Sequence, residues 1–111
     1  MCIFCKIINK EIPSDFIYED EDIIVIKDIN PAADIHLLAL PKKHIETINH
    51  LEDEDGELMG KLLLRIPTIA EDLGFAEDGY KIIINVGEGG GQSVFHIHFH
   101  ILSGTIREYD F

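Results

Sequence analysis

The stretch HIHFHIL, residues 96–102, alternates imidazole and apolar side chains. Because alternate residues of an extended strand lie on the same face, this alternation predicts a strand over His96–Leu102. His96, His98 and His100 would share one face, and the apolar residues between them would pack on the other. A half-buried strand whose polar face consists of imidazoles indicates a functional site.

Aligned histidines fit three kinds of role. They can be structural residues, they can bind a metal ion, or they can act in nucleophilic catalysis with supporting imidazoles. Same-face neighbours on one strand lie about 6.5–7 Å apart along its axis. Two of them could share a tetrahedral zinc ion, but three in a row would fit poorly. The spacing therefore argues against a metal site built from all three.

A glycine-rich loop precedes the histidines. Residues 87–93 read GEGGGQS, with four glycines in the first five positions and a hydroxyl at the end. Glycines let backbone N–H groups approach a phosphate closely. Neutral donors also suit this chain, because its formal net charge of −12 opposes an anionic substrate. Beside the histidines, the loop indicates a cradle for phosphoryl transfer.

The strands are predicted from apolar periodicity and turn residues. Phe16–Tyr18 and Ile23–Ile26 predict a hairpin around an acidic turn, and Ile35–Leu40 predicts a strand buried on both faces. Tyr80–Val86 predicts the strand before the glycine loop, and Gly104–Phe111 predicts an irregular tail.

Two helices complete the prediction. Residues 2–10 predict one or two helical turns. Leu51–Leu73 carries apolar residues at spacings of three and four, with Gly74 as a stop, and Pro67 predicts a bend near residues 63–67. The order of elements predicts an α+β fold with an antiparallel meander.

Length and composition limit the class of protein. A chain of 111 residues fits one domain, 1–111, that buries a core without disulfides. A basic footprint is missing, so we expect no nucleic-acid polymer as partner. The longest apolar runs are far shorter than the ~20 residues that span a bilayer, so we expect no membrane segment and a cytoplasmic location.

Cys2 and Cys5 form a CxxC pair at the N-terminus. They could be two unremarkable thiols, a redox pair, or half of a structural zinc site. A redox CxxC usually follows a strand, and almost no chain precedes this pair. Zinc needs two further ligands, which histidine must supply because the chain has no other cysteine.

Several blocks of the sequence resemble the histidine triad (HIT) family. HIHFHIL is similar to the family's triad, and GGQS, residues 90–93, is similar to the segment upstream of the triad in the Hint branch. Further blocks resemble that branch, and they are IFCKII at 3–8, KDINP at 27–31 and LPKKHI at 40–45. The resemblance covers residues 2 to about 102.

The resemblance implies a fold and an activity. It implies a five-stranded antiparallel sheet with one long and one short helix, and a homodimer in which two such sheets join into one of ten strands. It implies hydrolysis at the α-phosphate of nucleoside 5′-phosphoramidates or related nucleotidyl compounds, with a purine nucleotide as substrate. Dinucleoside polyphosphate hydrolysis, or nucleotide binding with little catalysis, remain as alternatives.

The resemblance also assigns roles to residues. His98 would attack phosphorus to form a nucleotidyl-histidine, His96 and His100 would assist or bind phosphate, and Ser93 would lie near the leaving group. Asp28 would accept the ribose hydroxyls, for which a carboxylate is well suited. The other expected nucleotide-binding residues are Phe4, Ile7, Ile26, Ile29, Asn85, Gly91 and Gln92.

Bacterial relatives that carry a CxxC pair suggest the zinc ligands. By that resemblance they are Cys2, Cys5, His44 and His96, with a structural zinc ion. His96 is therefore expected either as a catalytic residue or as a metal ligand.

Overall fold

The computed structural model describes residues 2–106. They form one five-stranded sheet with a helix on each face. The elements in chain order are α1 Ile3–Ile8, β1 Phe16–Glu19, β2 Ile23–Lys27, β3 Ala33–Pro41, α2 Gly56–Asp72, β4 Lys81–Ile83 and β5 Phe99–Ile106. Within this range, no helix is long and apolar enough to cross a membrane.

The strand order is β1-β2-β3-β5-β4, and every neighbouring pair is antiparallel. The α+β prediction with a five-stranded antiparallel sheet is confirmed. A simple meander is wrong, because β5 lies between β3 and β4. Its position beside β3 sets Leu38 opposite His100 in the register of the two strands.

The two faces of the sheet separate alternate side chains. On one face, Ile23 and Val25 of β2 pack with Leu62 and Ile66 of α2. On the other face, Ile24 and Ile26 pack against α1. Fully burying one such side chain contributes about 1.5–3 kcal/mol, so this alternation fixes which face each strand presents.

The long helix is shorter than predicted at its start. Leu51–Leu73 predicts a helix, whereas α2 begins at Gly56 after two 3₁₀ turns over Ile48–His50 and Asp53–Asp55. Glu52 and Asp55 form a reciprocal capping box at the second turn, and this satisfies backbone N–H groups before α2 begins. The helix continues through Pro67.

The strands around the histidines also differ from the prediction. The structure begins β5 at Phe99 instead of His96, because Ile97 N–H donates to the carbonyl of Ile45 (2.6 Å) outside the sheet ladder. The strand predicted over Tyr80–Val86 is limited to Lys81–Ile83. The alternation of faces persists nevertheless, since Ile97, Phe99 and Ile101 lie in the core under α2.

The tail prediction is wrong for residues 104–106, which extend β5. Ile106 pairs with Ala33 at the start of β3, and Thr105 N–H donates to Oδ2 of Asp34 (2.9 Å). Gly104 has φ +82°, and a side chain there would overlap that of Asp34. Residues 107–111 of the predicted tail lie outside the described residues.

Candidate active site

A cavity of about 260 Å³ opens between α1, the end of β2 and the histidine stretch. Its apolar part is formed by residues of α1 and by Ile12, Pro13, Ile26, Leu38 and Val94. Its polar part contains His98, His100, Ser93 and Asp28. A mostly apolar cavity with a few convergent polar groups is typical of a small-molecule site.

His98 has a defined tautomer. Its Nδ1 lies 2.8 Å from the carbonyl oxygen of His96, which can only accept, so Nδ1 carries the proton. In a neutral ring Nε2 then holds a lone pair. Burial lowers the pKa of His98 below its usual range, which keeps the ring neutral near pH 7. The edge-to-face contact with Phe4, at 5.0 Å between ring centroids, helps to fix the ring plane.

His100 belongs to a chain of hydrogen bonds. The N–H of Ala32 donates to Nδ1 of His36 (3.0 Å), so the proton of a neutral His36 is on Nε2. That Nε2–H lies 2.9 Å from Nδ1 of His100, which therefore accepts. Nε2 of His100 is then protonated and can donate to a phosphate oxygen. Burial, with the neighbouring His98 and His36 rings, lowers the pKa of His100 to about 4.

Asp28 lies beside this chain of hydrogen bonds. Its Oδ2 is 3.4 Å from Nε2 of His36, and its Oδ1 accepts the N–H of Asn30 (2.8 Å). No role for His36 is predicted from the sequence. The available signal was an imidazole at the start of the apolar run of β3.

The glycine loop is held together by two side chains. Gln92 is buried, and it accepts the N–H of Gly87 (2.8 Å) while donating to the carbonyls of Glu46 (2.7 Å) and Val94 (2.9 Å). Asn85 donates to the carbonyl of Gly90 (2.8 Å). Both polar side chains thus contact backbone of the loop and its neighbours.

A second cluster brings together Cys2, Cys5, His44 and His96. A tetrahedral zinc ion with bonds of about 2.3 Å to sulfur and 2.05 Å to nitrogen needs separations of about 3.6 Å for S–N and 3.3 Å for N–N. The four Sγ–Nδ1 separations here are 3.4–3.7 Å, and the two Nδ1 atoms lie 3.2 Å apart. The Sγ atoms lie 2.9 Å apart, closer than the about 3.8 Å that zinc would impose. The donor set and five of the six separations fit zinc.

The ring of His96 is oriented toward this cluster. Its Nε2 donates to the carbonyl of Pro41 (2.7 Å), which leaves the lone pair on Nδ1 for a metal ion. A backbone carbonyl on the second nitrogen is the usual arrangement for a metal-binding histidine. His96 is fully buried, and it does not line the cavity.

The structure separates the predicted site residues into three groups. Eight of them line the cavity, and these are Phe4, Ile7, Ile26, Asp28, Ile29, Ser93, His98 and His100. The loop residues Asn85, Gly91 and Gln92 are not among the lining residues. The four expected metal ligands lie in the cysteine cluster.

Comparisons with known proteins agree with this geometry. Residues 1–108 match the family model described as "Scavenger mRNA decapping enzyme C-term binding". The chain is 52% identical to Protein HitA of Neisseria gonorrhoeae, over 95% of this chain and 97% of that protein. It is 44% identical to the purine nucleoside phosphoramidase of Escherichia coli K12, over 92% and 86%. A HIT family hydrolase from Legionella pneumophila superposes with a TM-score of 0.92 at 48% identity, covering 95% and 94%.

Proposed function

Because the chain belongs to the histidine triad family, we propose that it hydrolyses purine nucleoside 5′-phosphoramidates or related nucleotidyl compounds at the α-phosphate. The observation that carries this proposal is the 2.8 Å contact between Nδ1 of His98 and the carbonyl of His96. It leaves a buried, neutral imidazole with its Nε2 lone pair available as a nucleophile. The Escherichia coli relative, named for phosphoramidase activity, supports the substrate class.

The reaction proceeds in two steps. The Nε2 lone pair of His98 forms a bond to phosphorus while the bond from phosphorus to the leaving amine breaks. Ser93 lines the same cavity, and its hydroxyl is proposed to donate a proton to that amine. Water then attacks phosphorus and gives one proton to the Ser93 oxygen, which restores the hydroxyl, while the electron pair of the N–P bond returns to Nε2. His100 donates its Nε2–H to a phosphate oxygen throughout, which offsets charge in both transition states.

The rest of the cavity fits a nucleoside. The apolar side chains of α1, including Phe4 and Ile7, would cover the base, and Asp28 would accept hydrogen bonds from the ribose hydroxyls. Phosphate recognition by imidazole and backbone N–H groups is compatible with the net charge of −12. Because these donors are neutral, they supply none of the positive charge that binding of a nucleic-acid polymer requires.

Zinc is the metal that we propose for the cysteine cluster, with Cys2, Cys5, His44 and His96 as ligands. When bound, it would supply a structural cross-link between α1, the segment after β3 and the histidine stretch. With Nδ1 on the metal and Nε2 on Pro41, His96 would act by holding its own carbonyl in place for His98. Its proposed role is therefore positioning, and proton transfer is left to other groups.

A homodimer is also proposed. Strand β4 is an edge of the sheet, and Ile82 on it is 44% exposed. Leu63 and Leu64 of α2 are 47% and 65% exposed. Pairing of two β4 edges would cover apolar surface and satisfy open backbone groups, as a second copy of this chain can do symmetrically. Sedimentation of wild type at about twice the chain mass, with dissociation by Ile82→Lys, would support it.

The proposed reaction is tested by trapping the intermediate. Wild type is quenched in acid during turnover of an adenosine 5′-phosphoramidate with a fluorescent amine, and the adduct is mapped by mass spectrometry. We expect one adenylyl group on His98, no adduct in His98→Ala, and an activity loss of at least about 10⁴-fold. His50→Ala, at an exposed histidine, is the matched control.

The outcome also separates the alternatives. AMP binding without an adduct or turnover would leave a nucleotide-binding module. Faster turnover of diadenosine polyphosphates than of phosphoramidates would instead assign a dinucleoside polyphosphate hydrolase. Full activity in His98→Ala would overturn the proposed nucleophile.

A further inference from the structure

Asp28, His36 and His100 form a compact group at the polar end of the cavity. One ligand atom from each lies within 4.8 Å of the others. His36 is 4% exposed and lies between its neighbours, with Nε2 at 2.9 Å from Nδ1 of His100 and 3.4 Å from Oδ2 of Asp28. Two histidines and one carboxylate could hold a metal ion or form a hydrogen-bonded group. The protonation of His36 decides between these two roles.

The tautomer of His36 argues against a metal ion in this group. The N–H of Ala32 points at Nδ1 of His36 and needs a lone pair there. A neutral imidazole has one proton, which is then on Nε2. A protonated nitrogen cannot ligate a metal, so Nε2 of His36 acts as a hydrogen-bond donor toward both neighbours.

One proton is thus shared unequally between two acceptors. Nδ1 of His100 is closer, but the carboxylate of Asp28 carries a charge and attracts the same proton. A ligand that donates hydrogen bonds to Asp28 weakens this competition. The proton of His36 is then directed more fully to His100, which fixes His100 with its Nε2–H toward the phosphate.

We infer that His36 is a positioning residue that makes turnover depend on the ribose hydroxyls bound at Asp28. This inference rests on the proposed function and adds that sugar recognition is expressed in kcat as well as in KM. A ribonucleotide would orient His100 through Asp28 and His36, whereas a 2′-deoxyribonucleotide, which keeps only the 3′-hydroxyl, would leave the carboxylate competing more strongly for the proton. The preferred substrate class is therefore the ribonucleotide.

The kinetic test compares adenosine and 2′-deoxyadenosine 5′-phosphoramidates with the same leaving amine. We measure kcat and KM for wild type, for His36→Leu, which lacks a donor, and for His36→Gln, which retains an N–H. Couplings between sites are typically about 5- to 150-fold. We expect kcat of wild type to fall about 5- to 10-fold with the deoxy substrate, toward the lower end of that range, and kcat of His36→Leu to fall less than about 2-fold. His36→Gln should restore part of the difference.

A second measurement does not need turnover. The ¹⁵N shifts of the His100 ring are followed by NMR while adenosine or 2′-deoxyadenosine is added to the full chain. We expect adenosine to shift the His100 resonances in wild type and 2′-deoxyadenosine to shift them less. This comparison remains available if His36→Leu does not fold.

The results keep the two proposals distinct. Absence of any nucleotidyl transfer by wild type would refute the proposed function, while the NMR response would still report the coupling. Equal kcat values for both sugars in an active wild type would overturn the inference. So would an unchanged ribose preference in kcat in a folded His36→Leu, or identical ¹⁵N responses to the two nucleosides.

Discussion

Nδ1 of His98 lies 2.8 Å from the backbone carbonyl of His96, the residue whose own Nδ1 faces Cys2 and Cys5. His98, the proposed nucleophile, and His96, a proposed metal ligand, are therefore only two positions apart in the chain. Cys2 also caps α1, where its sulfur accepts the N–H of Cys5 (3.1 Å), and α1 carries the Phe4 ring that contacts His98. The cysteine cluster is thus connected to the cavity in two ways, through the backbone from His96 to His98 and through α1.

Loss of a proposed metal ligand should affect both metal content and catalysis. Cys5→Ser is expected to lower bound zinc from about one ion per chain to a small fraction, because serine is a poor zinc ligand. Activity should fall about 10–100-fold, as is typical when groups that orient a site are disturbed. Elemental analysis, thermal unfolding and kcat measure the three effects.

Lys6→Ala, at the exposed neighbour of Cys5 on α1, is the matched control and should retain zinc. A Cys5→Ser protein with full zinc content would contradict the ligand assignment. Full activity in a zinc-free protein would contradict the proposed coupling to His98.

The Asp28 carboxylate can be tested by an isosteric change. Asp28→Asn keeps an oxygen for the N–H of Asn30 but removes the charge that we propose to bind the ribose hydroxyls. Hydrogen bonds to charged groups contribute about 1.5–3 kcal/mol, so we expect AMP affinity to fall about 10–100-fold. Calorimetric titration measures it, with Glu21→Gln in the exposed acidic turn as the control of equal charge change. Unaltered affinity would remove Asp28 from the sugar site.

Gln92 should be required for stability of the glycine loop. Gln92→Leu leaves the N–H of Gly87 and the carbonyls of Glu46 and Val94 without their side-chain partner. A fully buried group without a partner costs about 1–3 kcal/mol, and these three contacts are only partly buried, so the free energy of unfolding should fall by about 1–3 kcal/mol in total. Urea denaturation measures this loss. The exposed neighbour Ser93 offers a control, since Ser93→Ala should change stability by less than about 0.5 kcal/mol. Equal stability of both variants would show that water replaces the Gln92 contacts.

Periodicity predicted most of the fold because burial follows local pattern. The continuous apolar run Ile23–Ile26 indicates a buried strand, and the spacing of apolar residues in α2 identifies its buried face, before any contact is known. The position of β5 between β3 and β4 could not be predicted in this way, because strand order depends on pairing between β3 and a strand more than fifty residues away. The exit of His96 and Ile97 from the ladder also depends on a distant partner, the carbonyl of Ile45.

The candidate site could likewise be predicted only in part. The histidine spacing marked His98 and His100, but the sequence alone could not pair Cys2 with His44 or His36 with His100. These pairs are 42 and 64 residues apart in the chain, and only the register of β3 with β5 brings the second pair together. A buried histidine in an apolar strand is the general signal that would have indicated His36.

Protonation of His100 should make the fold sensitive to acid. His98, His36 and Asp28 surround its ring, and burial with the two imidazoles lowers its pKa to about 4, against an unfolded value of about 6.5. Between these values the unfolded chain binds more protons at this position than the folded chain does. Stability is therefore lost as pH falls from about 6.5 toward 4, by an amount on the order of 3 kcal/mol for this group.

Urea denaturation at a series of pH values measures this dependence. The acidic side chains contribute their own slope in both proteins, so the comparison is between wild type and His100→Gln, which has no titrating ring. We expect the free energy of unfolding of His100→Gln to fall less steeply between pH 6.5 and about 4. Parallel curves would mean that His100 titrates alike in the folded and unfolded chains. In that case burial and the His98 and His36 rings would not hold the ring neutral, and the hydrogen bond from Nε2 of His36 to Nδ1 of His100 would have to be reassigned.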